Sequence, residues 1–174
     1  MLASRPDVKE QLSNRGVEVM IFPAGKDDSD LPVRDVDGAF AFTDDDASPV
    51  AITGENNLLC VGGQQNYQGH SVLVHELAHS IHLVGLKTVE PNFDSQLSAL
   101  YNQSIADGKW QGSYAATDKY EYWAEGVGFY FDASPTNYRN HYVNTSAELQ
   151  EHDPDLYNLI SDTFRGLEWS PVCP

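Results

Sequence analysis

Basic residues are scarce in this chain: 10 Lys and Arg stand against 26 Asp and Glu, a formal net charge of −16. That balance excludes nucleic acid and anionic membrane surfaces as partners, because both demand a cationic counter-surface. It favours solubility and encounter with cationic peptides, and the runs Asp27-Asp28 and Asp44-Asp45-Asp46 read as solvated surface. Long apolar runs are missing too. No stretch approaches ~18 residues, so no segment is expected to span a membrane. Met1-Leu2-Ala3-Ser4-Arg5-Pro6 lacks the apolar core of a signal peptide, so a secreted protein is expected here in its mature form. Internal repeats, low-complexity tracts and domain linkers are absent. Cysteine is down to two residues, Cys60 and Cys173, which leaves one possible pairing. A disulfide between them is expected to pin the C-terminal tail, Trp169 to Cys173, to the first half of the chain. The acidic composition and the sequons Asn102-Gln103-Ser104 and Asn144-Thr145-Ser146 agree with an extracellular location, where such a bond persists.

What is present suits one folded domain. At 174 residues, 41% hydrophobic and 11% aromatic, the chain is long and apolar enough to build a real core. Pro6 to Asn14 reads as a helix ended by Gly16, and Val17 to Phe22 as a strand. Ala39 to Thr43, Val50 to Thr53 and Leu58 to Val61 read as three further short strands. Asn92 to Asp107, Asp118 to Phe131, Ala147 to His152 and a segment opened by Asp153-Pro154 and stopped by Gly166 read as helices. The expected architecture is a single α+β domain over 1–174. Its first half, about 1–85, holds the sheet, and its second, about 86–174, is mainly helical.

His75-Glu76-Leu77-Ala78-His79 names a chemistry. Residues i and i+4 of a helix share a face one turn apart, so both imidazoles can reach a single ion. Two neutral imidazoles suit Zn²⁺, and Glu76, one residue round from the first ligand, is placed to take a proton from water. Ser71-Val72-Leu73-Val74 leads into the helix, Ile81 and Leu83 continue its apolar face, and Gly85 is the expected stop.

A zinc site of this kind needs a third protein ligand. Glu121-Tyr122-Trp123-Ala124-Glu125 supplies two carboxylates four apart on one face of an aromatic-rich helix. Buried carboxylates without a cation are costly, so their place among Tyr122, Trp123, Val127, Phe129, Tyr130 and Phe131 points to a metal. One carboxylate can bind the ion while the other accepts the N–H of a ligating histidine and fixes its tautomer. His82 stands about 10 Å along the helix from His75, too far to share the ion, and is expected to pack. His70, five residues ahead of the motif, receives no role.

HExxH followed by a Glu-x-x-x-Asp/Glu helix resembles the gluzincin zinc metallopeptidases. The closer similarity is to the catalytic domains of the lethal-factor-like and Pro-Pro endopeptidase families. These carry a Tyr seven residues before the ligand Glu, then aromatic-aromatic-Ala-Glu, as do Tyr114, Glu121 and Tyr122-Trp123-Ala124-Glu125 here. The resemblance runs from about Ser71 to Phe131, a little over a third of the chain. It implies a zincin-like fold with a small sheet packed on the HExxH helix. It implies one Zn²⁺ held by His75, His79 and Glu121, with Glu125 orienting a ligand, Glu76 as general base and Tyr114 as oxyanion donor. The activity implied is a metalloendopeptidase, with a peptide or protein as substrate, acting as a monomer. Two alternatives stand beside it: a catalytically inert zincin-fold binding or toxin-accessory module, and a zinc hydrolase of a non-peptide amide or ester. An intact Glu76 argues against the first.

Overall fold

Val72 to Ser80 forms a helix because its apolar residues recur at helical spacing and Ser71 caps its start, the Ser71 hydroxyl accepting from Val74 N. It packs against the strand Val50–Gly54 and the helix Lys119–Tyr130, which sets the frame of the site. The computed structural model describes residues 1–26, 50–61, 70–134 and 142–171, together with the backbone of 40–41. In chain order its elements are α1 (Pro6–Asn14), β1 (Glu18–Phe22), β2 (Phe40–Ala41), β3 (Val50–Gly54), α2 (Glu55–Leu58) and α3 (Val72–Ser80). Then follow π-helical turns over Ile81–Leu86, α4 (Lys87–Val89), α5 (Phe93–Ala106), a 3₁₀ turn (Tyr114–Ala116), α6 (Lys119–Tyr130), α7 (Ser146–His152) and α8 (Pro154–Thr163). The domain is α+β: among the described residues the strands lie before residue 55, and the elements after it are helical.

The sheet is three-stranded in the order β1-β3-β2. β1 runs parallel to β3 with Glu18 opposite Val50, and β2 runs antiparallel with Phe40 opposite Ala51. β3 is buried along Val50 to Thr53 and packs on α3, as a central strand between a sheet and a helix must. Gly54 ends it where a side chain has no room: a Cβ there would stand 2.7 Å from the Phe22 ring.

Two sequence expectations fail here. Leu58 to Val61 is not a strand. Glu55–Leu58 is a helical turn, and Cys60 has the left-handed φ of 56°, which no strand accommodates. Leu58, Leu59 and Val61 are exposed instead of paired. The turn brings Asn57 to the start of α3, where its amide donates to His70 O at 2.5 Å and its Oδ1 accepts from Val72 N at 2.9 Å. Gly85, likewise, does not stop the helix, which continues through the π turns into α4. Its missing side chain serves packing: a Cβ at 85 would lie 2.5 Å from Val8 Cγ1 of α1. Val8 is wholly buried, so it has nowhere to retreat.

α6 runs through the core, with Tyr122 to Tyr130 all buried. It packs against α3, α5, α7 and α8. Trp123, Phe93, Phe129, Phe131 and Phe164 are fully buried beside it, and Trp123 meets Phe93 edge-on at 5.0 Å. Gly126 lets α8 approach, because a Cβ there would fall 2.7 Å from Leu156 Cδ2.

A buried carboxylate ties these helices together. Asp153 caps α8 and accepts from Ser104 Oγ (2.7 Å), Trp110 Nε1 (2.9 Å) and the Tyr122 hydroxyl (2.8 Å), with Lys109 Nζ at 3.2 Å. Burial alone would raise its pKa. The hydroxyl and indole donors and Lys109 outweigh that and lower it. Asp153→Asn is therefore expected to cost about 3–5 kcal/mol, the loss typical of breaking a buried charge pair from one side. A folded pKa below the unfolded ~3.9 means that this stabilisation is complete above ~3.9 and fades as pH falls through the folded value. Asp7, Asp94 and Glu148 are shifted the same way. Urea midpoints of wild type and Asp153→Asn should therefore converge below pH ~4, and a constant gap would contradict the assignment.

Candidate metal centre

Two nitrogens and a carboxylate converge between α3 and α6. His75 and His79 stand one turn apart, and their Nε2 atoms approach to 3.2 Å. Glu121, in the first turn of α6, brings Oε2 to 3.1 Å from His75 Nε2 and Oε1 to 3.8 Å from His79 Nε2. Ligands at about 2.0–2.2 Å around a tetrahedral ion stand about 3.3–3.6 Å apart. This triangle therefore has the dimensions of one face of such a shell. The three residues are recognisable as a group able to hold a metal ion. Glu121 Oε2 is buried and accepts no hydrogen bond among the described residues, although His75 Nε2 is 3.1 Å away. Close approach without hydrogen-bond alignment is what two lone pairs aimed at a common cation produce.

Local structure accounts for the convergence. Asp118 caps α6, its Oδ1 accepting from Tyr120 N at 2.7 Å and Glu121 N at 3.0 Å, which places Glu121 in the first turn. The two helices are held at fixed separation by Trp123 Nε1, which donates to Ala78 O at 2.8 Å inside the core. At the other end Ser71 N donates to Ala133 O at 2.8 Å. Ala78 precedes His79 and Trp123 follows Glu121 by two residues, so this bond helps to set the distance between His79 and Glu121.

Glu125 lies one turn beyond Glu121 and is buried, with Oε1 3.1 Å from His75 Nδ1. A neutral His75 with its proton on Nδ1, toward that carboxylate, keeps the Nε2 lone pair for a metal. Glu76 is buried on α3 beside His75. Burial opposes a positive charge on His75, yet the neighbouring Glu121, Glu125 and Glu76 outweigh it and raise its pKa. Burial, and then the charge of His75, lower that of His79. The field in the pocket is negative and calls for positive charge, which a divalent cation supplies more fully than one proton.

Tyr114 opens the 3₁₀ turn that packs on α6, and its ring centroid lies 6.4 Å from that of His75. The other tyrosines of the segment point elsewhere. Tyr122 is buried against Asp153, and Tyr120 is partly exposed, its ring 5.6 Å from His82. His82 is wholly buried away from the ligand group. Its Nε2 is 3.1 Å from Asp94 Oδ1, and Asp94 in turn accepts from Lys119 Nζ at 2.7 Å. His70, given no role from sequence, is buried with its ring 5.9 Å from that of His75, and it forms a second potential ligand group with His75 and Glu125. A lone histidine ahead of a helix carries no local signal, and Asn57, which anchors its carbonyl, is not adjacent in sequence. Cys60 is disulfide-bonded; Cys173 lies outside the described residues, as do the acidic runs at 27–28 and 44–46. No helix among the described residues is long and apolar enough to cross a membrane. Compared with protein-family models, curated proteins and solved structures, the chain finds no match in any of the three.

Proposed function

We propose that this chain is a zinc-dependent endopeptidase with a zincin-like fold, of the gluzincin type and similar to the lethal-factor-like and Pro-Pro endopeptidase catalytic domains. The observation that carries this reading is the convergence of the buried His75 and His79 with the half-buried Glu121, with Glu76 between the two histidines in sequence. These three residues would hold the ion. When bound, zinc would supply a Lewis acid that polarises a carbonyl and acidifies water.

The remaining work falls to the chain's own groups. Glu76 takes the proton of the attacking water and passes it to the leaving amine, a carboxylate acting as base and then as acid. Glu125 keeps the His75 ring oriented through Nδ1. Tyr114 carries a phenol O–H and so can donate to the developing oxyanion. An extracellular setting belongs to the same proposal and is supported by the disulfide at Cys60. Of the two sequons, Asn102 is exposed and Asn144 is buried.

Cleavage of a peptide library, with chelator and with zinc added back, tests the reading. Cleavage should stop with chelator and return with zinc. A zinc-loaded protein that leaves every peptide intact would sink it in favour of a binding module or a non-peptide hydrolase. Tyr114 makes a sharper expectation. Tyr114→Phe should lower kcat by about 10²–10³-fold, the usual effect of deleting one oxyanion donor, with zinc content and KM little changed. Tyr120→Phe is the control and should behave as wild type. Tyr122→Phe is unsuited to that use because its hydroxyl serves Asp153. Full activity in Tyr114→Phe would move the oxyanion role to another group.

A further inference from the structure

His75 belongs to two clusters at once. With His79 and Glu121 it forms the ligand triangle, and with His70 and Glu125 it forms a second set whose ligand atoms all lie within 4.8 Å of one another. All three members of the second set are buried. The two sets use opposite ends of one ring: Nε2 is 3.1 Å from Glu121 and Nδ1 is 3.1 Å from Glu125. A neutral imidazole has one lone pair and one N–H, so it cannot serve a metal through both nitrogens without losing its last proton. The second set is therefore not a second metal site while the first is in use. What remains for it is hydrogen bonding, with Glu125 as an acceptor between two imidazoles.

We infer that His70 is a positioning residue for the metal centre: it holds the Glu125 carboxylate, directly or through one water, so that Glu125 in turn fixes the His75 ring. This rests on the zinc reading above. Two features of the fold support it. The His70 backbone is tied in place, because Asn57 Nδ2 donates to its carbonyl at 2.5 Å while Asn57 Oδ1 accepts from Val72 N, joining it to the first turn of α3, and the ring itself is buried. Glu125 is likewise locked, buried in the middle of α6. A carboxylate has two oxygens and up to four acceptor sites, so facing His75 leaves it capacity for a second donor. A separation of up to 4.8 Å is within the span of one bridging water between buried polar groups.

The test is zinc affinity, measured by chelator competition on the intact protein, for His70→Phe, His70→Gln, Glu125→Gln and the His70→Phe/Glu125→Gln pair. Melting temperatures of the metal-free proteins are recorded alongside. His70→Phe keeps the ring volume and removes the donors. It should weaken zinc binding about 10-fold or more, as loss of a group that orients a ligand does. His70→Gln restores an N–H donor and should recover most of the affinity, a rescue that a packing role would not give. In the Glu125→Gln background His70→Phe should add little, since both act on one ring. Zinc binding by His70→Phe equal to wild type, or an undiminished loss in the Glu125→Gln background, would overturn the inference while leaving the metal centre intact. Failure of the wild type itself to bind zinc would overturn the metal centre first. If His70→Phe does not fold, His70→Leu takes its place in both comparisons, and zinc binding by His70→Leu equal to wild type, or an undiminished loss in the Glu125→Gln background, contradicts the inference.

Discussion

Glu76→Gln should keep its zinc and lose nearly all peptidase activity. The amide has the shape of the carboxylate and removes only the base, so the ligands His75, His79 and Glu121 have no reason to move. General-base catalysis of this kind is worth about 10²–10⁴-fold, and the expected drop in kcat is of that order or larger because the same group returns the proton to the leaving amine. Glu76 is buried beside His75 and its charge helps to raise the His75 pKa. Removing it relieves a buried negative charge, so the variant should melt no lower than wild type. Metal analysis together with single-turnover cleavage checks both halves. Appreciable turnover by a zinc-loaded Glu76→Gln would end the general-base assignment, and loss of zinc would instead place Glu76 among the ligands.

The second large effect separates the two glutamates of α6. Glu121→Ala should abolish tight zinc binding, a loss of well over about 100-fold, whereas Glu125→Gln should cost about 10–100-fold. The geometry makes the difference. Glu121 reaches both ligand nitrogens, at 3.1 and 3.8 Å, from the open first turn of its helix. Glu125 instead stands 3.1 Å from the far nitrogen of His75. Glu121→Ala also removes one of the carboxylates that face the ion, so zinc should no longer raise the variant's melting temperature. Comparable zinc affinities for the two variants would contradict this division of labour.

The convergence of these side chains was readable in the sequence because the rule behind it is local. Four residues along a helix return to the same face, and His75 with His79 and Glu121 with Glu125 obey that rule on two separate helices. The aromatic flanks of Glu121 announced a buried helix, and α6 is buried from Tyr122 to Tyr130. Where meaning depends on distant contacts, local signals mislead or fall silent. Gly85 after an apolar run looks like a helix stop, and only the position of α1 shows that it makes room for Val8. Leu58 to Val61 looks like a strand because apolar residues are adjacent, yet the chain turns there so that Asn57 can meet His70 and Val72. Asp153 reads as a helix cap and is one, but its bonds to Ser104, Trp110 and Tyr122 span 31 to 49 residues, beyond any periodicity. His70 is silent for the same reason.

A crystal of the zinc-soaked protein, measured on both sides of the zinc absorption edge, tests directly for one ion in one place. A single anomalous peak should appear between α3 and α6, about 2.0–2.2 Å from His75 Nε2, His79 Nε2 and a Glu121 carboxylate oxygen, with Glu125 remaining on His75 Nδ1. No peak at that position, or a peak ligated by Glu125 in place of Glu121, would contradict it.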